Sequence, residues 1–184
     1  MSARLTHLDD AGHARMVDVS AKPVTAREAR AQCRVLCSAR VLELLAEGGL
    51  PKGDALAVAR IAGLQAAKRT PDLVPLAHPV AVHAVEVDID LEPGGVLISA
   101  SVRTADRTGI EMEALTCVTV AALTFVDMVK AVDKRTVITD VLVTAKSGGK
   151  SGDWTWDGPG HPLERDPLEP DPLEPDPLEQ GEPS

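Results

Sequence analysis

The chain has 184 residues, 44% of them hydrophobic, and a formal net charge of -9. That length favours one domain with a sizeable core, and most of the charge lies after Gly158, where eight acids face the single base Arg165 and leave residues 1–157 at only -2. A nearly neutral folded part excludes a general nucleic-acid surface, and 2% aromatic content with no tyrosine excludes a base-stacking platform, while a local basic pocket for a phosphorylated small molecule stays open.

In chain order, Met1–Ala11 holds Arg4, Asp9 and Asp10 without an apolar run, so no signal peptide is expected. Residues 14–20 alternate weakly and predict a short strand. Lys22-Pro23 breaks that pattern. Thr25 and Glu28 have capping-box spacing. They predict a helix through Val35, Leu36, Val41, Leu44 and Leu45, ending near Gly48-Gly49. Asp54 is placed to cap a second helix, Ala55 to about Lys68, whose alanines and Gly63 suit close packing. Residues 70–79 carry Pro71, Pro75 and Pro79 and read as irregular.

Alternation then resumes from Val80 to Leu91. Gly94-Gly95 turns the chain, and Val96, Ile98 and Val102 form the return strand of a hairpin. Thr108 and Glu111 again have capping-box spacing, ahead of a long apolar helix over about 109–132. Residues 136–144 are β-branched and read as a last strand. The order β-α-α-β-β-α-β predicts an α+β fold, a ferredoxin-like sandwich with helices on one face of an antiparallel sheet. It occupies residues 1–157. From 158 to 184, Pro-Leu-Glu recurs every five residues, starting at 162, 167, 172 and 177. Proline and acid cannot bury enough surface to offset ordering entropy, so this tail reads as disordered and functionally silent.

Three regions could carry chemistry. On the long helix, Glu113, Thr116, Thr124, Asp127, Lys130 and Lys134 fall on one stripe at 100° per residue. Asp127 and Lys130, at i and i+3, can touch. Such a pair is either an ordinary solvated ion pair or, beside apolar surface, a proton-transfer pair. The helix is too apolar for an ordinary surface helix, so the stripe should meet a cavity or a subunit interface. The second region is Leu76-Ala77-His78-Pro79, a proline-rich loop whose histidine can enter a pocket or simply bond a carbonyl. The third is Ala145–Asp153, where glycines with Lys146 and Lys150 can wrap an anion or merely link to the tail. Gly149-Lys150-Ser151 is no P-loop, because Thr144 stands where its first glycine belongs. Lys68 and Arg69 suit the C-terminal end of the second helix; Lys52, before that helix, has no such explanation.

The three cysteines, Cys33, Cys37 and Cys117, fit a reducing, cytoplasmic setting. Cys33 and Cys37 lack the further ligands of a zinc site and read as buried thiols. No stretch reads as long and apolar enough to cross a bilayer.

Six segments together resemble the cyclic pyranopterin monophosphate synthase family, molybdenum cofactor biosynthesis protein C. They are residues 16–22 (MVDVSAK), 52–54 (KGD), 59–79 (ARIAGLQAAKRTPDLVPLAHP), 108–116 (TGIEMEALT), 127–132 (DMVKAV) and 145–153 (AKSGGKSGD). The likeness spans about residues 4–154 and leaves out the tail. It implies a lyase acting on 3',8-cyclo-7,8-dihydroguanosine 5'-triphosphate, releasing diphosphate, within molybdopterin synthesis. It implies catalytic residues Asp127, Lys130 and Lys52, and substrate contacts from Leu76, Ala77, His78, Met112, Glu113 and Lys146; the glycine-rich loop adds Lys150 as a further expected substrate-binding residue. It also implies a homohexamer, a trimer of dimers, with active sites between subunits, and no nucleic-acid or membrane partner. The sequence shows no dedicated metal cage, though Mg2+ could ride on the phosphates. Many relatives have cysteine where Ala77 stands; if that position supplies only backbone, the change is tolerated.

Overall fold

The computed structural model describes residues 11–150 and 152–157. The proposed boundary at 158 and the acidic tail lie outside them. Strand β1 (Thr25–Leu36) is the centre of the fold. Ala29, Ala31, Cys33 and Val35 are buried in alternation, while Arg30, Gln32 and Arg34 point to the other face. The helix expected from Thr25 is therefore wrong in its first half, and no capping box forms there. Alanine and arginine favour helices in isolation, but tertiary pairing overrides that preference. β1 is bonded along its whole length to β3 (Gly95–Asp106) and on its other side to β4 (Val137–Ser147).

Only α1 (Ala39–Glu47) of the expected first helix is helical. It ends as expected: Gly48 takes φ 66, and Gly49 N–H donates to the Leu44 carbonyl at 2.8 Å. α2 (Ala55–Ala67) is capped by Asp54, whose carboxylate accepts from Ala57 N–H at 2.9 Å. The proline-rich segment is not wholly irregular. Thr70–Leu73 forms one helical turn, α3, with Pro71 at its start, where a missing N–H costs nothing. β2 (Ala84–Glu92) starts later than expected, because Val80–His83 stay outside the ladder. Residues 14–20 form no strand beyond a bridge at Ala14. Their backbone is held in turns instead: Ser20 N–H donates to Asp18 Oδ1 at 2.8 Å, and Lys22 N–H to the Val19 carbonyl at 3.0 Å.

α4 (Glu111–Val129) is the core helix, and β5 (Trp154–Thr155) adds two residues beyond β4. The sheet runs β2-β3-β1-β4-β5, with every pair antiparallel. Its first four strands have the ferredoxin-like order, and α2 and α4 pack on one face, as expected. By length and composition α4 could cross a bilayer, contrary to the expectation that no segment could. Its apolar residues are instead spent on the core: Ala114, Cys117, Val118, Ala121, Ala122, Phe125 and Val129 are all fully buried. Burying Phe125 alone contributes about 1.5–3 kcal/mol. The capping box expected at Thr108 and Glu111 is absent; Ile110 is the N-cap, with no side-chain cap bond. The Glu111 carboxylate fills the space that a side chain at Gly109 would need.

α2 approaches α4 through small residues. A Cβ at Gly63 would lie 3.0 Å from the Cys117 carbonyl oxygen and 3.2 Å from Ala121 Cβ. Gly63→Val should therefore cost about 1–3 kcal/mol by overpacking, read as a lower urea midpoint; an unchanged midpoint would show that the two helices can part freely. The thiols of Cys33 and Cys117 are buried, and burial pushes both up to about 12. Cys37, half-buried, is raised by burial and by the nearby Asp133 carboxylate.

Candidate active site

The polar stripe on α4 divides into two ends. At the C-terminal end, Asp127 Oδ1 lies 2.7 Å from Lys130 Nζ, the expected i, i+3 contact. Asp127 Oδ2 lies 2.7 Å from Lys52 Nζ, which also donates to the Asp127 carbonyl at 2.8 Å. Sequence spacing could not place Lys52, which precedes α2. The fold brings it to the end of α4, where an ammonium satisfies a last-turn carbonyl and complements the helix dipole. Hydrogen bonds from Lys130 and Lys52 hold the Asp127 carboxyl down at about 2. The stabilisation from those bonds is complete above the ordinary carboxylate range and is lost progressively as pH falls from there through about 2.

Within one chain this cluster lies on the surface, whereas the Glu113 end of the stripe meets a cavity. The side chains of Asp127 and Lys130 are 54% and 60% exposed. Their mutual contact, not burial, sets the titration of the acid.

At the other end of α4 lies a cavity of about 420 Å³, lined by Leu76, Ala77, His78, Met112 and Glu113, all five expected from the sequence. His78 Nε2 is 2.6 Å from the Val17 carbonyl oxygen, so the nitrogen carries the proton and donates. That bond fixes the ring and leaves Nδ1 as an acceptor in the neutral form. Ala77 N–H closes a turn onto the Val74 carbonyl at 3.0 Å, so backbone geometry matters at this position. Glu113 is 3% exposed, and burial, with a smaller push from Glu111, raises its carboxyl above the ordinary range.

The ionised form of Glu113 therefore destabilises the fold, increasingly as pH rises through its raised value. Glu113→Gln should melt about 2–4 °C higher at pH 7, the shift that about 1 kcal/mol produces in a chain of this size. The gain should shrink at pH 4. A lower melting temperature at pH 7 would show instead that the carboxylate is paired.

Lys146 Nζ lies 3.6 Å from Glu111 Oε1 on the cavity wall and also lines a smaller cavity of about 230 Å³ with Glu28, Arg30 and Asp153. Lys150 is exposed on the neighbouring loop and lines neither cavity. Sequence reasoning missed Lys22, Thr108 and Glu111 on the larger cavity. Lys22 stands in a loop just before Pro23, and its carbonyl accepts from Arg107 Nε at 2.9 Å. Its place at the end of the MVDVSAK stretch was the one available signal.

The two ends are fourteen residues apart along α4, Glu113 to Asp127, which at 1.5 Å per residue is about 21 Å. One chain does not bring the cluster and the cavity together.

A model of the MoaC family matches residues 16–149. The chain belongs to the MoaC family. Among relatives, the cyclic pyranopterin monophosphate synthase of Streptomyces coelicolor is 68% identical over 152 residues, covering 83% of this chain and 89% of that protein. The protein of that name from Streptomyces avermitilis is 66% identical with the same coverage. The one from Nocardioides sp. is 62% identical over 156 residues, covering 83% of this chain and 95% of that protein. The MoaC match holds both ends of α4, the Lys52 loop and the His78 loop, and stops at Gly149, just short of Lys150.

Proposed function

We propose that this MoaC-family chain is a lyase that converts 3',8-cyclo-7,8-dihydroguanosine 5'-triphosphate to cyclic pyranopterin monophosphate and diphosphate, in molybdenum cofactor synthesis. The observation that carries the reading is the Lys52–Asp127–Lys130 cluster, an acid bonded at 2.7 Å to two ammonium groups at the solvent-facing C-terminal end of α4. Five relatives at 57–68% identity carry the synthase name.

The cluster and the cavity act on one substrate only if different protomers supply them, since about 21 Å separates them in one chain. A homohexamer built from dimers, with its sites between subunits, meets that need and would cover the exposed cluster. In such a site, Glu113 and His78 orient the guanine-derived ring and the sugar. Lys146 and Lys22, with Lys150 on the adjoining loop, hold the triphosphate. Lys52 and Lys130 exchange protons with the substrate as the purine ring opens and the pterin closes, and Asp127 keeps both ammonium groups in place. A sugar hydroxyl then forms a bond to the first phosphorus. The bond from that phosphorus to the leaving diphosphate breaks, and the hydroxyl proton passes to a base of the cluster. Fixed cations stabilise the charge that develops on the departing phosphates. The three free thiols suit the reducing cytoplasm, where we place the chain.

Incubating the purified protein with the cyclised triphosphate should release one diphosphate per cyclic monophosphate formed, followed by phosphorus NMR. Tight binding with no diphosphate would instead make the chain a nucleotide sensor and end the lyase reading.

A further inference from the structure

A buried carboxylate that the reaction does not touch links the two backbone segments of the cluster. Asp133, 9% exposed, lies in the turn after α4. Its Oδ2 accepts from Ser38 N–H at 2.8 Å, and its Oδ1 from Arg135 N–H at 2.9 Å. Thr136 Oγ1 donates to its carbonyl at 2.9 Å, and its own N–H donates to the Val129 carbonyl at 3.0 Å. Ser38 is the N-cap of α1 and makes no side-chain cap bond of its own. Asp133 thus serves the start of a helix from 95 residues away, where a negative charge also suits the dipole.

The bonds form a closed ring. From Ser38 the chain runs through α1, the Gly48 cap and the turn in which Gly53 N–H meets the Leu50 carbonyl, and so to Lys52. Lys52 bridges to Asp127. From Asp127 the last turn of α4 carries Lys130 and leads to Asp133, which bridges back to Ser38. Lys52 is a long side chain on a loop, and its own bridge is more than one-third exposed. Exposed ion pairs fix geometry poorly. The bridge at Asp133, shielded from most solvent and made with two backbone N–H groups, is the rigid side of the ring.

We propose that Asp133 is a positioning residue, setting the separation of Lys52 from Asp127 and Lys130 by pinning the start of α1 to the end of α4. The inference rests on the assignment of that cluster to catalysis. Small misplacements of reacting groups cost large factors in rate, whereas substrate held at the cavity end of α4 should bind as before.

The test compares Asp133→Asn and Asp133→Leu in the full chain, with Ile98→Val in β3 as a control that loosens the core elsewhere. Asp133→Leu should lower kcat at least about tenfold with KM within about threefold. Amide hydrogen exchange should quicken together in segments 38–54 and 126–136. Asp133→Asn should fall between, since its amide oxygen still accepts one of the two N–H groups, and it keeps the test open if the leucine variant does not fold. The control should change neither kcat nor the exchange of those segments. Wild-type exchange in both segments, an unchanged kcat, or a loss confined to KM would each overturn the proposal. The exchange result reads the pinning without turnover, so it stays informative even if Lys130→Ala proves active and the catalytic assignment fails.

Discussion

Replacing Lys130 by alanine should lower kcat by about a thousandfold and leave the fold intact. Positioned proton-transfer groups contribute roughly 10²–10⁴ to rate, and Lys130 is one of two ammonium groups bonded to Asp127. Its loss leaves Asp127 paired with Lys52, so no charge is stranded. The side chain is 60% exposed, and exposed ion pairs add little stability. Melting temperature should therefore stay within about 3 °C of wild type. Steady-state turnover and a thermal melt on the same preparation check both halves. Near-normal product formation would remove Lys130 from the mechanism; a collapse of the melt would show it to be structural.

Coexpressing Lys130→Ala chains with Glu113→Gln chains, each nearly inactive alone, should restore about a quarter of wild-type turnover. The two substitutions lie at opposite ends of one rigid helix, seventeen residues or about 26 Å apart. If each site takes its cluster from one protomer and its cavity from another, random mixing of equal amounts gives about one site in four with both parts intact. Sites built within one chain would give no recovery at any ratio. Tandem purification on two different tags followed by a turnover assay decides the matter, and it does so without any structure of the assembly.

Much of the fold was legible where the sequence carried its own punctuation. Gly48-Gly49 ended α1, Asp54 opened α2, and Gly94 turned the hairpin, with Pro93 rather than Gly95 beside it in the turn, because each offered backbone chemistry that a local argument can read. β1 was not legible. Its buried face is Ala29, Ala31, Cys33 and Val35, and such small side chains give weak alternation beside arginines that favour helices. Only the pairing with β3 and β4, invisible from the segment itself, makes it a strand. The candidate site divides in the same way. The contact of Asp127 with Lys130 followed from helical spacing. Lys52 could not be placed beside them by any local rule, because 75 residues separate it from Asp127. The cavity loop was found through His78, while Lys22 was passed over because a lysine before proline in a loop has no periodicity to mark it.

The thiols bear on how the protein can be handled. Reaction with an electrophile needs the thiolate, and burial holds Cys33 and Cys117 almost entirely protonated at neutral pH. Alkylating dyes and mild oxidants should leave both alone while the chain is folded. Rapid labelling of either would then be an early signal of unfolding, and a maleimide pulse would serve as a simple assay for opening of the core.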